Sequence, residues 1–275
     1  MRFFLLVSLL LFFDHMMAVS AFASDALPRS CHINALGRLS CKLVGSTRGK
    51  ASLHRFDPSA FPMDKIKKSK TTLSIGSPWA GHLHRPVAMT SSGRGFILLQ
   101  RTQDRKHIYA LPELEKLIRK AAAQVEKVYP KSILTVGDLS LINGGYAPGH
   151  RSHQSGRDVD LGFYLVDRRH NYQIITAEFV SFDGMGQASG KYSHLLFDIE
   201  RNWELVETLV TQKIIPVQKI FISSPLRDFL LQYAEAVARP ARIIQAAASV
   251  LTADAAHGDH FHVRIVCPAN QPYCR

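Results

Sequence analysis

Past its first 23 residues the chain has no long apolar run, so nothing further along it reads as a membrane span of about 20 residues. Acidic residues are few. Asp and Glu number 22 against 34 Lys and Arg, a formal net charge of +12. The basic residues are spread, and the one dense cluster, Lys65, Lys67, Lys68 and Lys70, reads as a solvated loop rather than a nucleic-acid arm. Cysteine is scarce too: only Cys31, Cys41, Cys267 and Cys274. Neither close pair has the tight C-x2-4-C spacing of a zinc knuckle, which argues against an all-cysteine metal site. There is no internal repeat, which excludes a solenoid.

What the chain does have begins with an export signal. Arg2 is followed by FFLLVSLLLFF (3–13) and then by Ala21-Phe22-Ala23, a small-x-small cleavage pattern that makes residues 1–23 a signal peptide and Ser24 the mature start. No cysteine follows the cleavage point, so no lipid anchor is expected, nor any stable membrane insertion after cleavage. The expected location is the periplasm. There an even cysteine count implies disulfides. Of three possible pairings, the two short local loops are preferred, Cys31–Cys41 and Cys267–Cys274. A basic exported protein meets an anionic envelope polymer more readily than nucleic acid, and no nucleic-acid partner is expected.

Residues 24–94 are rich in Ser, Gly, Pro and basic residues and read as an irregular N-terminal arm; the compact domain is expected over 95–275. Leu114, Leu117, Ile118, Ala121, Val125 and Val128 recur at helical spacing after Pro112. Helices are also expected over 201–213, from Pro225 to about Ala238, and over 241–251. Strands are expected over 132–141 (SILTVGDLSL), 158–166 (DVDLGFYLV), 217–223 and 260–266 (HFHVRIV). Helices and strands mix without regular alternation, which argues for the α+β class.

Strand alternation puts His260 and His262 on one face, and Asp158 and Asp160 on one face. His257 could join from the preceding turn. His153 lies seven residues before Asp160, on the wrong face of any continuous strand, so it must reach in from the loop; Gly156 gives the backbone that freedom. Imidazoles and a carboxylate suit Zn2+, and three protein ligands leave a position open for substrate. Spacing alone does not choose between Asp158 and Asp160. His82-x-His84, beside a proline in the arm, reads as structural.

VGDLSLINGGYAPGHRSHQSGRDVDLGF (136–163) and HGDHFHVRIVCPANQPYC (257–274) together resemble the penicillin-insensitive murein endopeptidases, a branch of the LAS zinc metallopeptidases, over about Ile97 to Cys274. The resemblance implies a central, mainly antiparallel sheet with flanking helices. It implies Zn2+ ligands at His153, Asp160 and His262, and non-ligand active-site histidines at His257 and His260, which would handle the proton of the attacking water, the oxyanion and the leaving amine. It supports the Cys267–Cys274 pairing. The substrate it implies is the peptide cross-link of peptidoglycan, between D-alanine and meso-diaminopimelate. The alternatives are a zinc D,D- or L,D-carboxypeptidase trimming stem peptides and a non-catalytic zinc-bearing cell-wall binding module. His150 is left open between a second metal and a supporting place beside the ligands. The family's Asp-x-x-His motif has Asp183 in the aspartate position but Gly186 where the histidine would be, so a second metal is not carried over. The chain has neither Glu-x-x-His nor His-Glu-x-x-His. A homodimer is left open.

Overall fold

The structure, a computed structural model, describes residues 29–33, 39–43, 55–169 and 172–275, with side chains described from residue 55 onward. The expected signal peptide and cleavage point, and the sulfur atoms of Cys31 and Cys41, lie outside the described residues. Arg29–Ile33 and Leu39–Leu43 form a two-stranded antiparallel ribbon with Cys31 opposite Cys41 in register. This ribbon belongs to one unit of the chain and residues 54–275 form another.

In the second unit, the helical stripe that follows Pro112 forms a helix over Pro112–Val128. Proline occupies its first turn, and Leu114, Leu117, Ile118, Ala121, Ala122 and Val125 are buried. Each large apolar side chain sunk this way contributes roughly 1.5–3 kcal/mol. A second helix, Ile199–Thr211, starts two residues earlier than its apolar side suggests. The Asp198 carboxylate caps it by accepting from Arg201 N at 3.1 Å. Helices Ser224–Ala236 and Ala241–Val250 follow a strand, Val217–Ile222.

These helices accompany a seven-stranded sheet of order Leu251–Ala253, Val217–Ile222, His260–Ile265, Asp158–Gly162, Leu134–Val136, Phe96–Leu98, Ser92–Gly93. The three central pairings are antiparallel; Val217–Ile222 with Leu251–Ala253 and Phe96–Leu98 with Leu134–Val136 are parallel. Val159, Leu161, Phe261, Val263 and Ile265 form one buried face of the two central strands. The intervening positions are therefore free for chemistry on the other face.

Two expected strands are shorter than the pattern suggests. SILTVGDLSL is ladder only over Leu134–Val136; beyond it Asp160 N donates to Asp138 O at 3.0 Å and the chain turns away. DVDLGFYLV divides. Asp158–Gly162 stays in the main sheet, and Leu165–Asp167 joins a three-stranded sheet with Gln173–Ile174 and Leu195–Phe197. The cause of the break comes from far along the chain. The buried Asn202 amide accepts from Tyr164 N and donates to Tyr164 O, both at 2.9 Å, so the backbone is satisfied without a ladder partner. Phe163 then packs edge-on against Phe197 and Phe261 at 4.9 and 4.8 Å.

Part of the stretch read as an irregular arm is regular. Leu73–Ser77 and Ala80–His84 form a hairpin, and Ser92–Gly93 edges the main sheet. His82 and His84 lie on that hairpin with structural partners: His82 stacks on Phe56 at 5.4 Å and His84 Nε2 lies 3.1 Å from Ser69 O. The C-terminal segment holds the hairpin from the other side. Gln271 Oε1 accepts from Ser74 N at 2.7 Å, Gly76 N donates to Tyr273 O at 2.9 Å, and the Cys267–Cys274 disulfide closes the segment.

Candidate functional site

Strand register brings the two sequence motifs together. Asp160 sits directly across from His262, Asp158 from Arg264, and Gly162 from His260. Alternation then puts Asp158, Asp160, His260, His262 and Arg264 on one face, opposite the apolar face above.

His153 enters from the loop, as its wrong-face spacing requires. The chain needs two left-handed residues to bring it in, His153 itself (φ 67) and Gly156 (φ 78). The positive φ favours glycine at 156, and a Cβ there would also come within 2.7 Å of Leu83 Cδ1 and press on that side chain. The His153 ring is fully buried, with its centroid 4.6 Å from that of His262 and 4.3 Å from that of His150. Its Nε2 lies 3.2 Å from Asp160 Oδ1.

The two aspartates have separate tasks. Asp158 is fully buried; its Oδ1 accepts from His262 Nε2 at 2.8 Å and from Arg264 Nε at 2.6 Å. With Nε2 donating, the neutral His262 ring has its acceptor nitrogen at Nδ1, which lies 3.3 Å from His257 Nε2. Asp160 instead faces His153, His150 (Nδ1 to Oδ2, 3.7 Å) and His260 (Nε2 to Oδ1, 3.4 Å). His260 Nδ1 is held by Asp259 at 2.5 Å.

Asp138, at the end of Leu134–Val136, forms a further buried hub. It accepts from Thr102 Oγ1 at 2.7 Å and His150 Nε2 at 2.8 Å, pairs with Arg105, and has His107 Nδ1 at 3.3 Å. His150 therefore bridges Asp138 to Asp160. His107 is almost fully buried beside this hub. Asp183 is engaged in its own turn, accepting from Met185 N and Gln187 N at 2.9 Å, and Gly186 there has φ +72.

Charge in the site is strongly conditioned. Burial works against the ionised Asp160, yet His153 and His260 hold its carboxyl well below the usual range. Burial lowers His260, but the facing carboxylates of Asp160 and Asp259 outweigh it and lift the ring to about 9. Burial, helped by the neighbouring His260, keeps His257 below its ordinary value.

Donors suited to a cation are left over. Both ring nitrogens of His153 and Asp160 Oδ1 are buried with no hydrogen bond among the described residues. Such atoms cost about 1–3 kcal/mol each unless something satisfies them. His150, His153 and Asp160 offer ligand atoms all within 4.8 Å of one another, and His107, Asp138 and His150 form a second such group. A metal fits this donor set of imidazoles and carboxylate. The site opens into a cavity of about 490 Å3 bordered by Trp79, Phe221, His257, His260, His262 and Arg264.

Sequence reading singled out His153, Asp160, His257, His260 and His262; the structure places the last four at this cavity wall and buries His153 behind them, beside Asp160. It did not assign Asp158 as the partner of His262, nor Arg264 as a wall residue. The parity that links His260 to His262 extends to position 264 and was the available signal for Arg264.

A family model described as penicillin-insensitive murein endopeptidase matches residues 74–275. The protein of that name from Yersinia pestis bv. Antiqua (strain Antiqua) is 27% identical over 179 residues, covering 62% of this chain and 58% of the relative. The one from Escherichia coli O157:H7 (strain EC4115 / EHEC) is 27% identical over 176 residues with the same coverage. The one from Haemophilus influenzae (strain ATCC 51907 / DSM 11121 / KW20 / Rd) is 24% identical over 204 residues, 73% of this chain and 65% of the relative. The chain thus spans about three fifths of the length of these relatives.

Proposed function

Because the chain belongs to the penicillin-insensitive murein endopeptidase family, we propose that it is a zinc-dependent endopeptidase of the periplasm that hydrolyses D-alanyl–meso-diaminopimelyl cross-links of peptidoglycan. The observation that carries this reading is the antiparallel register that sets Asp160 against His262 with His153 beside both. His153, Asp160 and His262 would hold the zinc, with Asp158 fixing the orientation of the His262 ring through Nε2. A bound Zn2+ supplies Lewis-acid polarisation of the scissile carbonyl and of the attacking water.

The chain's own residues do the rest. His260, clamped by Asp259, and His257, in the turn before the last strand, stand at the cavity wall where a proton must be taken from water and delivered to the leaving amine. Loss of one such group typically slows a reaction about 100- to 10,000-fold. His150 supports Asp160 from the side of Asp138. Attack by water rather than by a serine nucleophile gives β-lactams nothing to acylate.

The test is digestion of purified cross-linked muropeptides with and without chelator. Dimers falling to monomers only in the metal-loaded sample is the expected result. Shortened stems with cross-links intact would mean a carboxypeptidase, and no change with zinc present a binding module.

A further inference from the structure

Arg264 is a charge buried in the cavity wall with only part of its hydrogen-bonding capacity in use. It is 8% exposed, and its Nε donates to Asp158 Oδ1 at 2.6 Å. Among the described residues no acceptor meets its Nη1 or Nη2. The guanidinium lies near two aromatic rings, 5.6 Å from the Trp79 centroid and 5.4 Å from that of Phe221, which limits its swing. Neutralising Asp158 needs only a positive charge, which a lysine would supply. A planar fork held beside rings and open at its end is the arrangement that takes a carboxylate through two parallel bonds.

We propose that Arg264 is a specificity-determining residue that docks a free carboxylate of the substrate, the one borne by the carbon that carries the amine of the scissile amide. This rests on the cross-link reading above. In meso-diaminopimelate each amine-bearing carbon also bears a carboxylate, so the nitrogen leaving a cut cross-link has an anion two bonds away. Arg264 follows His262 by two residues on the same strand face, about 7 Å along the strand. A carbonyl placed beside His262 therefore puts that anion within reach of the fork. Trp79, half exposed at the tip of the hairpin, closes the same wall from outside.

The experiment compares two dimers that differ only in whether that carboxylate is free or amidated, using zinc-loaded wild type and R264K with metal content measured for both. Wild type is expected to favour the free carboxylate by about tenfold or more in kcat/KM, mainly through KM. R264K keeps a charge for Asp158 and should bring the ratio towards one. Equal cleavage of both dimers by wild type overturns the proposal. So does an equal fall on both in R264K, which would mean that Arg264 acts only through Asp158. If R264K loses its metal, the wild-type ratio alone decides, because amidation tests the fork without altering the chain. If wild type cuts neither dimer while retaining zinc, the endopeptidase reading itself falls and this assignment with it.

Discussion

At the scale of single residues, two aspartates on one strand face do different work. Strand parity makes Asp158 and Asp160 equivalent, and the choice of Asp160 as ligand came from the family resemblance rather than from spacing. The distinction lies in the cross-strand register, where one aspartate meets Arg264 and the other His262, and pairing between segments a hundred residues apart is not written in either segment. Zinc retention after gel filtration against a competing chelator tests the ligand set. His153→Ala, Asp160→Asn and His262→Ala should each emerge without metal. His150→Ala should retain it with affinity lowered about 10- to 100-fold, as for a residue that supports a ligand. Loss in His150→Ala with retention in His262→Ala would move the third ligand to His150, whose ligand atoms lie closest to those of His153 and Asp160. Asp158→Asn removes the carboxylate charge facing Arg264, and breaking a buried pair from one side should cost about 3–5 kcal/mol in denaturant unfolding.

At the scale of elements, the site depends on where strands stop. The long helix after Pro112 was legible because its apolar stripe and its proline are local. The end of Asp158–Gly162 was not, because GFYLV continues the apolar run and the side chain that ends the ladder, Asn202, lies on another helix. Replacing Asn202 with Leu should leave Tyr164 N without its partner, Tyr164 O keeping Asp198 N at 3.0 Å, and destabilise the fold by roughly 1–3 kcal/mol, read from the shift in unfolding midpoint at unchanged slope. The loop before this strand is equally exacting. Gly156→Ala meets both the positive φ and the Leu83 contact, so it should lower zinc affinity as well as stability, by about 1–3 kcal/mol in the latter. A variant that lost stability but bound zinc as tightly as wild type would show that His153 is positioned by other means.

For the whole molecule, alkaline pH is a predicted weakness. Burial raises the phenol of Tyr129 to about 12, with Glu200 adding to it, and burial raises Tyr164 further. The Tyr164 hydroxyl has no hydrogen-bond partner among the described residues. Because the folded values lie above the unfolded one, the stability these groups confer is intact below pH 10 and is lost as pH rises through 10 towards 12. Tyr164→Phe should flatten that decline in melting temperature while leaving stability at pH 7 nearly unchanged; an undiminished slope would assign the decline to other groups. The Cys267–Cys274 bond closes a separation of seven residues, a loop for which chain entropy suggests about 2.5 kcal/mol. Its reduction should also loosen the Leu73–His84 hairpin, which the same segment holds, and hydrogen exchange at Gly76 would report it.

The position of the last strand has a consequence in time. Strands from residues 92–162 make one half of the main sheet and strands from 217–253 the other, and they join only through His260–Ile265. That strand, which also carries His260 and His262, is synthesised after everything it joins. A partly made chain can therefore build helices and edges but not the pairing of Asp160 with His262. Under the proposed function, the protein would stay chemically silent through nearly all of its own synthesis, because the element that completes its sheet is also the one that arms it.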